Sequence, residues 1–216
     1  MHETTVSSFS EFDDAISNIT RSALCRGVSD TAYQLVPSLF RGKNTEDIKA
    51  QETNLMWVFK TQARGRLATI PSSELEWLVL AQHHGLPTRL LDWSLSPIVA
   101  LFFAVQSNSK TDGAVYIHDK RSFKQEHDIN ISTLKNVTAF FPSHVSPRLS
   151  AQSGMFTVHP LNGKAFNDES MLKLIIPAGE KRKLMNKLVK FGIHHSSMFP
   201  DLDGLSRYLR YLNNYA

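Results

Sequence analysis

Gly85-Leu86-Pro87-Thr88-Arg89-Leu90-Leu91-Asp92-Trp93-Ser94-Leu95-Ser96-Pro97-Ile98-Val99-Ala100-Leu101-Phe102-Phe103-Ala104-Val105 decides how this chain folds. Gly85 and Pro87 stop whatever helix precedes them. So few residues then remain before Ser96 that only a strand fits, and it is expected over Thr88 to Trp93. Ser96 and Pro97 have the chemistry of a helix N-cap and first helical position. Ile98 to Val105 is apolar on every side, so that helix belongs inside the core. Elsewhere helices and strands alternate without regular βαβ spacing. The expectation is an α+β fold of short mixed or antiparallel sheets packed with helices.

Working back towards the N-terminus, Ser73 and Glu76 have capping-box spacing for a helix that ends at Gly85. A helix before it is expected to start near Asn44 or Thr45, with Glu46 and Asp47 in its first turn and Ile48, Leu55, Met56 and Phe59 inward. Tyr33 to Gly42 reads as a short strand. Residues 10 to 24 read as a first helix, capped by Ser10 with Asp13, with Phe12, Ile16 and Ile19 on one face. Working forward, Gly113 to His118, Gly154 to His159 and Met171 to Ile176 read as strands. Glu180 to Phe191, closed by Gly192, and Asp203 to Leu212 read as helices, the latter capped by Asp201 or Asp203. Residues 119 to 147 read mostly as loop.

The chain has 216 residues and no linker-like or repeated tract, which favours one domain over residues 1–216, its core over 33–212 behind an N-terminal helix within 1–25. With 42% hydrophobic and 20% charged residues it is a folded protein rather than a disordered one. No apolar run approaches bilayer length, so no membrane partner is expected. Met1 to Asp14 lacks the basic-then-apolar pattern of a secretory leader, and cytoplasmic location is the expectation. The single Cys25 rules out an internal disulfide and a multi-cysteine metal site. His83-His84 and His194-His195 lack the further ligands a zinc site needs, and no metal is expected. The net charge of +4 is mild, and the basic cluster of Lys181, Arg182, Lys183, Lys187 and Lys190 reads first as a solvated helix face. Trp57, Trp77 and Trp93 are expected in the core.

Two segments concentrate chemistry. Phe40-Arg41-Gly42 places a planar guanidinium beside a glycine, suited to gripping phosphate or ribose while the ligand nears the backbone. His83 to Ser94 gathers His84, Thr88, Arg89, Asp92 and Ser94 around a sharp turn. Arg89 and Asp92 lie three apart on a strand and so face opposite ways; Asp92 could anchor Arg41 or Arg89, or act chemically. Gln152 stands at the mouth of a later strand. No Walker loop, dinucleotide fingerprint or nucleophile elbow occurs.

Phe40-Arg41-Gly42, Gln82 to Trp93, Ala100 to Ala104, Arg148…Gln152…Gly154…Phe156 and Phe199 to Gly204 together resemble the FRG-domain family, over residues 33 to 210. More distantly, the order Arg41, then Leu91-Asp92-Trp93-Ser94 with Ala100 and Phe103, then Ala151-Gln152 with Phe156-Thr157-Val158, resembles the Arg-Ser-Glu-type ADP-ribosyltransferases. That resemblance implies an ADP-ribosyltransferase-like fold and an NAD-dependent transferase of the bacterial toxin or phage-defence kind. NAD would be its substrate and an antitoxin protein a partner; the basic chain, which should approach a polyanion more readily than an acidic protein surface, points to RNA as the acceptor. It implies catalytic roles for Arg41, Asp92 and Gln152, with Gly42, His84, Thr88, Arg89 and Ser94 joining Arg41 around NAD. The chain departs from the pattern in lacking Ser-Thr-Ser and the expected Glu, whose region holds Gln152. Either Asp92 or another acid substitutes, or the fold is a non-catalytic nucleotide- or nucleic-acid-binding module.

Overall fold

One mixed sheet, joined by a single residue pair at its middle, organises this molecule. The computed structural model describes residues 1–41, 47–107, 110–119, 122–143 and 146–214. Its strands are β1 (His2–Thr5), β2 (Leu24–Val28), β3 (Leu90–Ser94), β4 (Gly113–His118), β5 (Thr138–Phe140), β6 (Gly154–Val158) and β7 (Leu172–Ile176). They form one seven-stranded sheet in the order β1-β7-β4-β2-β3-β6-β5. β1 is parallel to β7 and every other neighbour pair is antiparallel, so the sheet is mixed. β2 shares five residue pairs with β4, and β3 shares five with β6. Between β2 and β3, however, there is a single pair, Cys25 with Ser94. The two halves of the sheet part beyond it.

Eight α-helices lie among the described residues: α1 (Phe9–Ile16), α2 (Ile48–Ala63), α3 (Glu74–His83), α4 (Pro97–Val105), α5 (Pro147–Ala151), α6 (Lys181–Lys190), α7 (His195–Met198) and α8 (Leu202–Leu212). The fold is α+β. α4 starts where Ser96 and Pro97 dictate, the Ser96 hydroxyl accepting from Val99 N–H, and it is buried in the core. It packs with α6 on Cys25, Val115, Ile117, Leu174 and Ile176. α3 and α2 cover the other half of the same face, over Leu90, Phe140, Phe156 and Val158. Leu24, Leu91, Trp93, Ala114 and Tyr116 face the opposite way, under Leu35 and Phe166. No described helix is long and apolar enough to cross a membrane.

Several expectations need correction. The first helix is shorter than residues 10–24: Ser8, not Ser10, caps it, accepting from Glu11 N–H while the Glu11 carboxylate accepts from Ser7 N–H. Residues 1–25 are therefore not simply a helix. They hold β1, α1 and the start of β2, and buried Val6, Phe12 and Cys25 place the core well before residue 33. The strand expected over 33–42 is absent among its described residues. Pro37 cannot donate to a ladder, and Ser38–Arg41 instead forms a 3₁₀ turn, tied down by Leu39 N–H to Thr88 O. α2 begins at Ile48 with Asp47 as its cap; Asn44, Thr45 and Glu46 lie outside the described residues. β3 runs one residue past Trp93, to Ser94. Glu76 reaches back to Ser72 rather than completing a reciprocal box with Ser73. Trp57 is 65% exposed, whereas Trp77 and Trp93 are in the core. Lys181 leaves the basic face altogether, burying its side chain and donating to the carbonyls of Ser29 (2.6 Å) and Ser107 (3.4 Å).

Candidate functional site

Where β2 and β3 part, a cleft of about 230 Å³ opens, floored by Arg26 and Gly27 of β2 and Asp92 and Ser94 of β3. Ala100 and Phe103 of α4 form an apolar wall, and Arg148 and Gln152, from α5 and its C-terminal cap, form a polar one. α4 can lie this close because β2 carries glycine there. A Cβ on Gly27 would sit 1.8 Å from Ala100 O and 2.7 Å from Ala104 N. A second, smaller lobe of about 70 Å³ adjoins it, lined by His83, Leu80, Ser146, Leu149 and Phe156. Gln82, Asp92, Arg148 and Gln152 line both lobes.

Asp92 is the one carboxylate among the described residues lining either lobe. Two contacts fix it: Gln82 Nε2 donates to Oδ2 at 2.9 Å, and Arg26 Nη1 lies 3.5 Å from the same oxygen. Gln82 is itself oriented by Thr88, whose hydroxyl donates to Gln82 Oε1 at 2.6 Å. Thr88 in turn accepts from Leu90 N–H, and its own N–H is held by Ser38 Oγ at 3.1 Å. A chain of hydrogen bonds thus runs from the 3₁₀ turn to the carboxylate, and its members fix one another's rotamers. On the far side Ser94 Oγ donates to Gln152 O at 2.7 Å, and Gln152 Nε2 donates to Met198 O at 2.9 Å. The Arg148 guanidinium sits 4.7 Å over the Phe199 ring, which holds it at the rim.

The residues expected from sequence divide accordingly. Asp92, Gln152 and Ser94 line the cleft. Thr88 supports it from a fully buried position rather than facing it. Arg41 is near enough to feel Arg26 and Asp92. Burial first, and then the Arg26 charge, lower its pKa from the ordinary value, and its Nε donates to Val36 O at 2.8 Å. His84 is an exposed cap at the end of α3, and its neighbour His83 is the one that lines the smaller lobe. Arg89 is not brought to the cleft. Its Nε donates to both Glu52 oxygens, at 2.7 and 2.9 Å, and Nη1 to Ile131 O at 3.0 Å, so this buried pair braces α2 against the strand entry. Gly42 lies outside the described residues. Asp92 pairs with Arg26, rather than anchoring Arg41 or Arg89.

Sequence reasoning missed Arg26; Arg148 and His83 stood in the segments it quoted but were given no role in the site. Arg26-Gly27 carried a usable signal: an arginine standing alone in the run Ala23-Leu24-Cys25-Arg26-Gly27-Val28, with the same Arg-Gly pairing noted at Arg41-Gly42. Among the described residues no group of three or more His, Cys, Asp or Glu side chains converges on a metal position.

No curated protein and no solved structure matches this chain. The segment from Arg148 to Phe156, which lines the cleft, and that from Phe199 to Gly204 lie beyond the part of the chain that a family model covers. Residues 21–113, which carry β2, α2, α3, β3 and α4, match the family model described as the FRG domain, so that part of the chain is similar to an FRG domain.

Proposed function

We propose that the cleft binds NAD and that the chain transfers ADP-ribose from it to RNA. The observation that carries this reading is a lone carboxylate, Asp92, 3.5 Å from the Arg26 guanidinium, in a cleft that Arg148 also lines, where the sheet parts. The chemistry asks for that set. Arginines suit a diphosphate, and the Ala100–Phe103 wall suits a flat apolar ring. Breaking the bond between ribose and nicotinamide develops positive charge on the sugar. A fixed carboxylate beside the sugar stabilises that charge, and Asp92, exposed to the open cleft, is held there by Gln82 and Arg26. Asp92 then fills the role of the missing Glu, while Gln152, tethered to Met198 O, positions the sugar. The RNA acceptor is supported by the net charge of +4 and by exposed Trp57, a flat ring flanked by Lys49 and Lys60.

The test uses purified protein, NAD labelled in its adenylate phosphate and total RNA, followed by nuclease or protease. Label on RNA is expected from the natural chain, with at least a roughly 100-fold loss in Asp92→Asn, of the order seen when one electrostatic stabiliser is removed. Label that survives nuclease and vanishes with protease would make the acceptor a protein. Acting as a toxin or phage-defence effector, the natural chain would also arrest growth on expression without a neutralising antitoxin, and Asp92→Asn would not. One observation favours a non-catalytic nucleotide-binding module: Asp92 is already engaged by Gln82 and Arg26. Tight NAD binding with no transfer to any acceptor would establish that reading instead.

A further inference from the structure

Away from the cleft, α2 turns a strip of side chains outward. Lys49, Thr53, Trp57, Lys60 and Arg64 are separated by four, four, three and four residues, spacings that keep side chains on one face of a helix. Arg64, the C-cap, still has helical backbone, while the other face carries the buried Ile48, Glu52, Met56 and Ala63. At the centre of the strip Trp57 is bare, whereas Trp77 and Trp93 are buried. It stands between two hollows of about 510 and 490 Å³. The larger is a groove whose far wall, Ile131, Ser132, Leu134 and Leu161, is uncharged. We infer that this groove binds single-stranded nucleic acid, with a base stacked on Trp57 and phosphates at Lys49 and Arg64, and that it holds the acceptor RNA. The last clause rests on reading the chain as an RNA ADP-ribosyltransferase; the rest does not.

Charge comes first. Every carboxylate lining the two hollows among the described residues is already committed. Asp47 Oδ1 accepts from Ala50 N–H at 2.8 Å, Glu52 is paired with Arg89, and Glu74 accepts from Lys60 at 2.5 and 2.6 Å. No described carboxylate pairs with Lys49 or Arg64. The charge left for a ligand is therefore positive, which suits a polyanion. Spacing comes second. Along the helix axis Lys49 lies about 12 Å to one side of Trp57 and Arg64 about 10 Å to the other. A flat ring between two cations on one line matches a strand that carries phosphates and presents unpaired bases. A duplex keeps its bases stacked inside and offers an indole no face. An acidic protein surface would use the cations and leave the ring idle.

Position comes third. α3 gives Glu74 and Leu78 to the groove and Val79 and Gln82 to the smaller lobe of the cleft. A helix is about 10–12 Å across. A strand anchored on Trp57 has that width to cross before a neighbouring nucleotide reaches the cleft.

The experiment uses the purified chain without NAD. Anisotropy of a dye-labelled short oligoadenylate reads affinity, and quenching of tryptophan fluorescence reads contact with the indole. The RNA strand is expected to bind and quench. Trp57→Ala should weaken binding by about 5–140-fold, the worth of one stacked base, and abolish the quenching. Trp57→Phe keeps a flat ring and should keep most of the affinity. Lys49→Ala and Arg64→Ala should each lower the slope of log affinity against log salt by about 0.7. All three side chains are exposed, so the variants should melt as the natural chain does. The inference falls if no strand binds, if duplex RNA or polyglutamate binds as tightly as the single strand, or if Trp57→Ala binds unchanged. A tighter hold on DNA of the same sequence would remove RNA from the groove. Adding NAD then separates the two readings. Strand binding without label transfer refutes the transferase and leaves the groove standing, whereas transfer undiminished in Trp57→Ala takes the groove off the acceptor's path.

Discussion

Arg89→Ala tests whether the buried pair beside the cleft is structural. Arg89 and Glu52 are 4% and 7% exposed, and Arg89 donates to Glu52 from Nε and Nη2 and to Ile131 O from Nη1. Removing the guanidinium leaves the Glu52 carboxylate buried without its counter-charge. Breaking one side of such a pair costs about 3–5 kcal/mol. For a chain of this size each kcal/mol lowers Tm by about 2–4 °C, so the fall should be roughly 6–20 °C. Replacing both partners, as Glu52→Leu with Arg89→Met, removes the orphaned charge and should recover most of the loss, leaving the Ile131 carbonyl as the chief unmet group. Thermal melts of the two single variants and the double variant, followed by circular dichroism and paired with NAD titration, supply the measurement. The double variant should bind NAD as the natural chain does. A single variant within 1 °C of the natural Tm, a double variant no better than Arg89→Ala, or lost NAD binding in a well-folded double variant would each refute the reasoning.

Three further outcomes follow from the same geometry. Gly27→Ala drives a Cβ into the α4 backbone, 1.8 Å from Ala100 O, and overpacking against backbone should cost about 3 kcal/mol or more; an unchanged denaturant midpoint would contradict the close approach. His159, hydrogen-bonded to Thr157 at 2.9 Å, has its pKa lowered from 6.5 to about 4 by burial and by Arg26. The unfolded chain therefore binds the proton first, and stability present above pH 6.5 should drain by about 3 kcal/mol as pH falls towards 4. His159→Gln should flatten that part of the stability–pH curve. Cys25 is 1% exposed and its thiol is pushed up to about 12, chiefly by burial, so maleimide should label it only at the rate of unfolding.

What the sequence disclosed follows a physical pattern. Wherever a local device set the structure, it was legible: Ser96-Pro97 starting α4, Gly85 and Gly192 adopting positive φ after α3 and α6, Asp201 capping α8. β1 and β2 were hidden because pairing rather than local pattern makes them strands. β1 is exposed and held by β7, and Leu24–Val28 breaks its apolar run with Arg26 and Gly27. The same holds for the site. Asp92, Ser94 and Gln152, which line the candidate cleft, sit beside recognisable turns and stand out in the sequence. Arg26 and Arg148 arrive from elements far apart in sequence, and only the parting of the sheet brings them together. Arg89 misled because a buried arginine and a ligand-gripping one look alike until the carboxylate partner, 37 positions away, is known.

The single pair between β2 and β3 leaves this protein with an edge in its interior. Beyond Cys25 and Ser94, main-chain groups that a continuous sheet would consume look into the cleft, and one of them, the Asp92 carbonyl, is met by Arg26 Nη1 at 2.5 Å. A side chain is standing in for a missing rung. The cost of opening the sheet there is met by that side chain rather than by a neighbouring strand. The opening lasts only so long as the two half-sheets stay apart, and any change that zipped them shut would close the cleft.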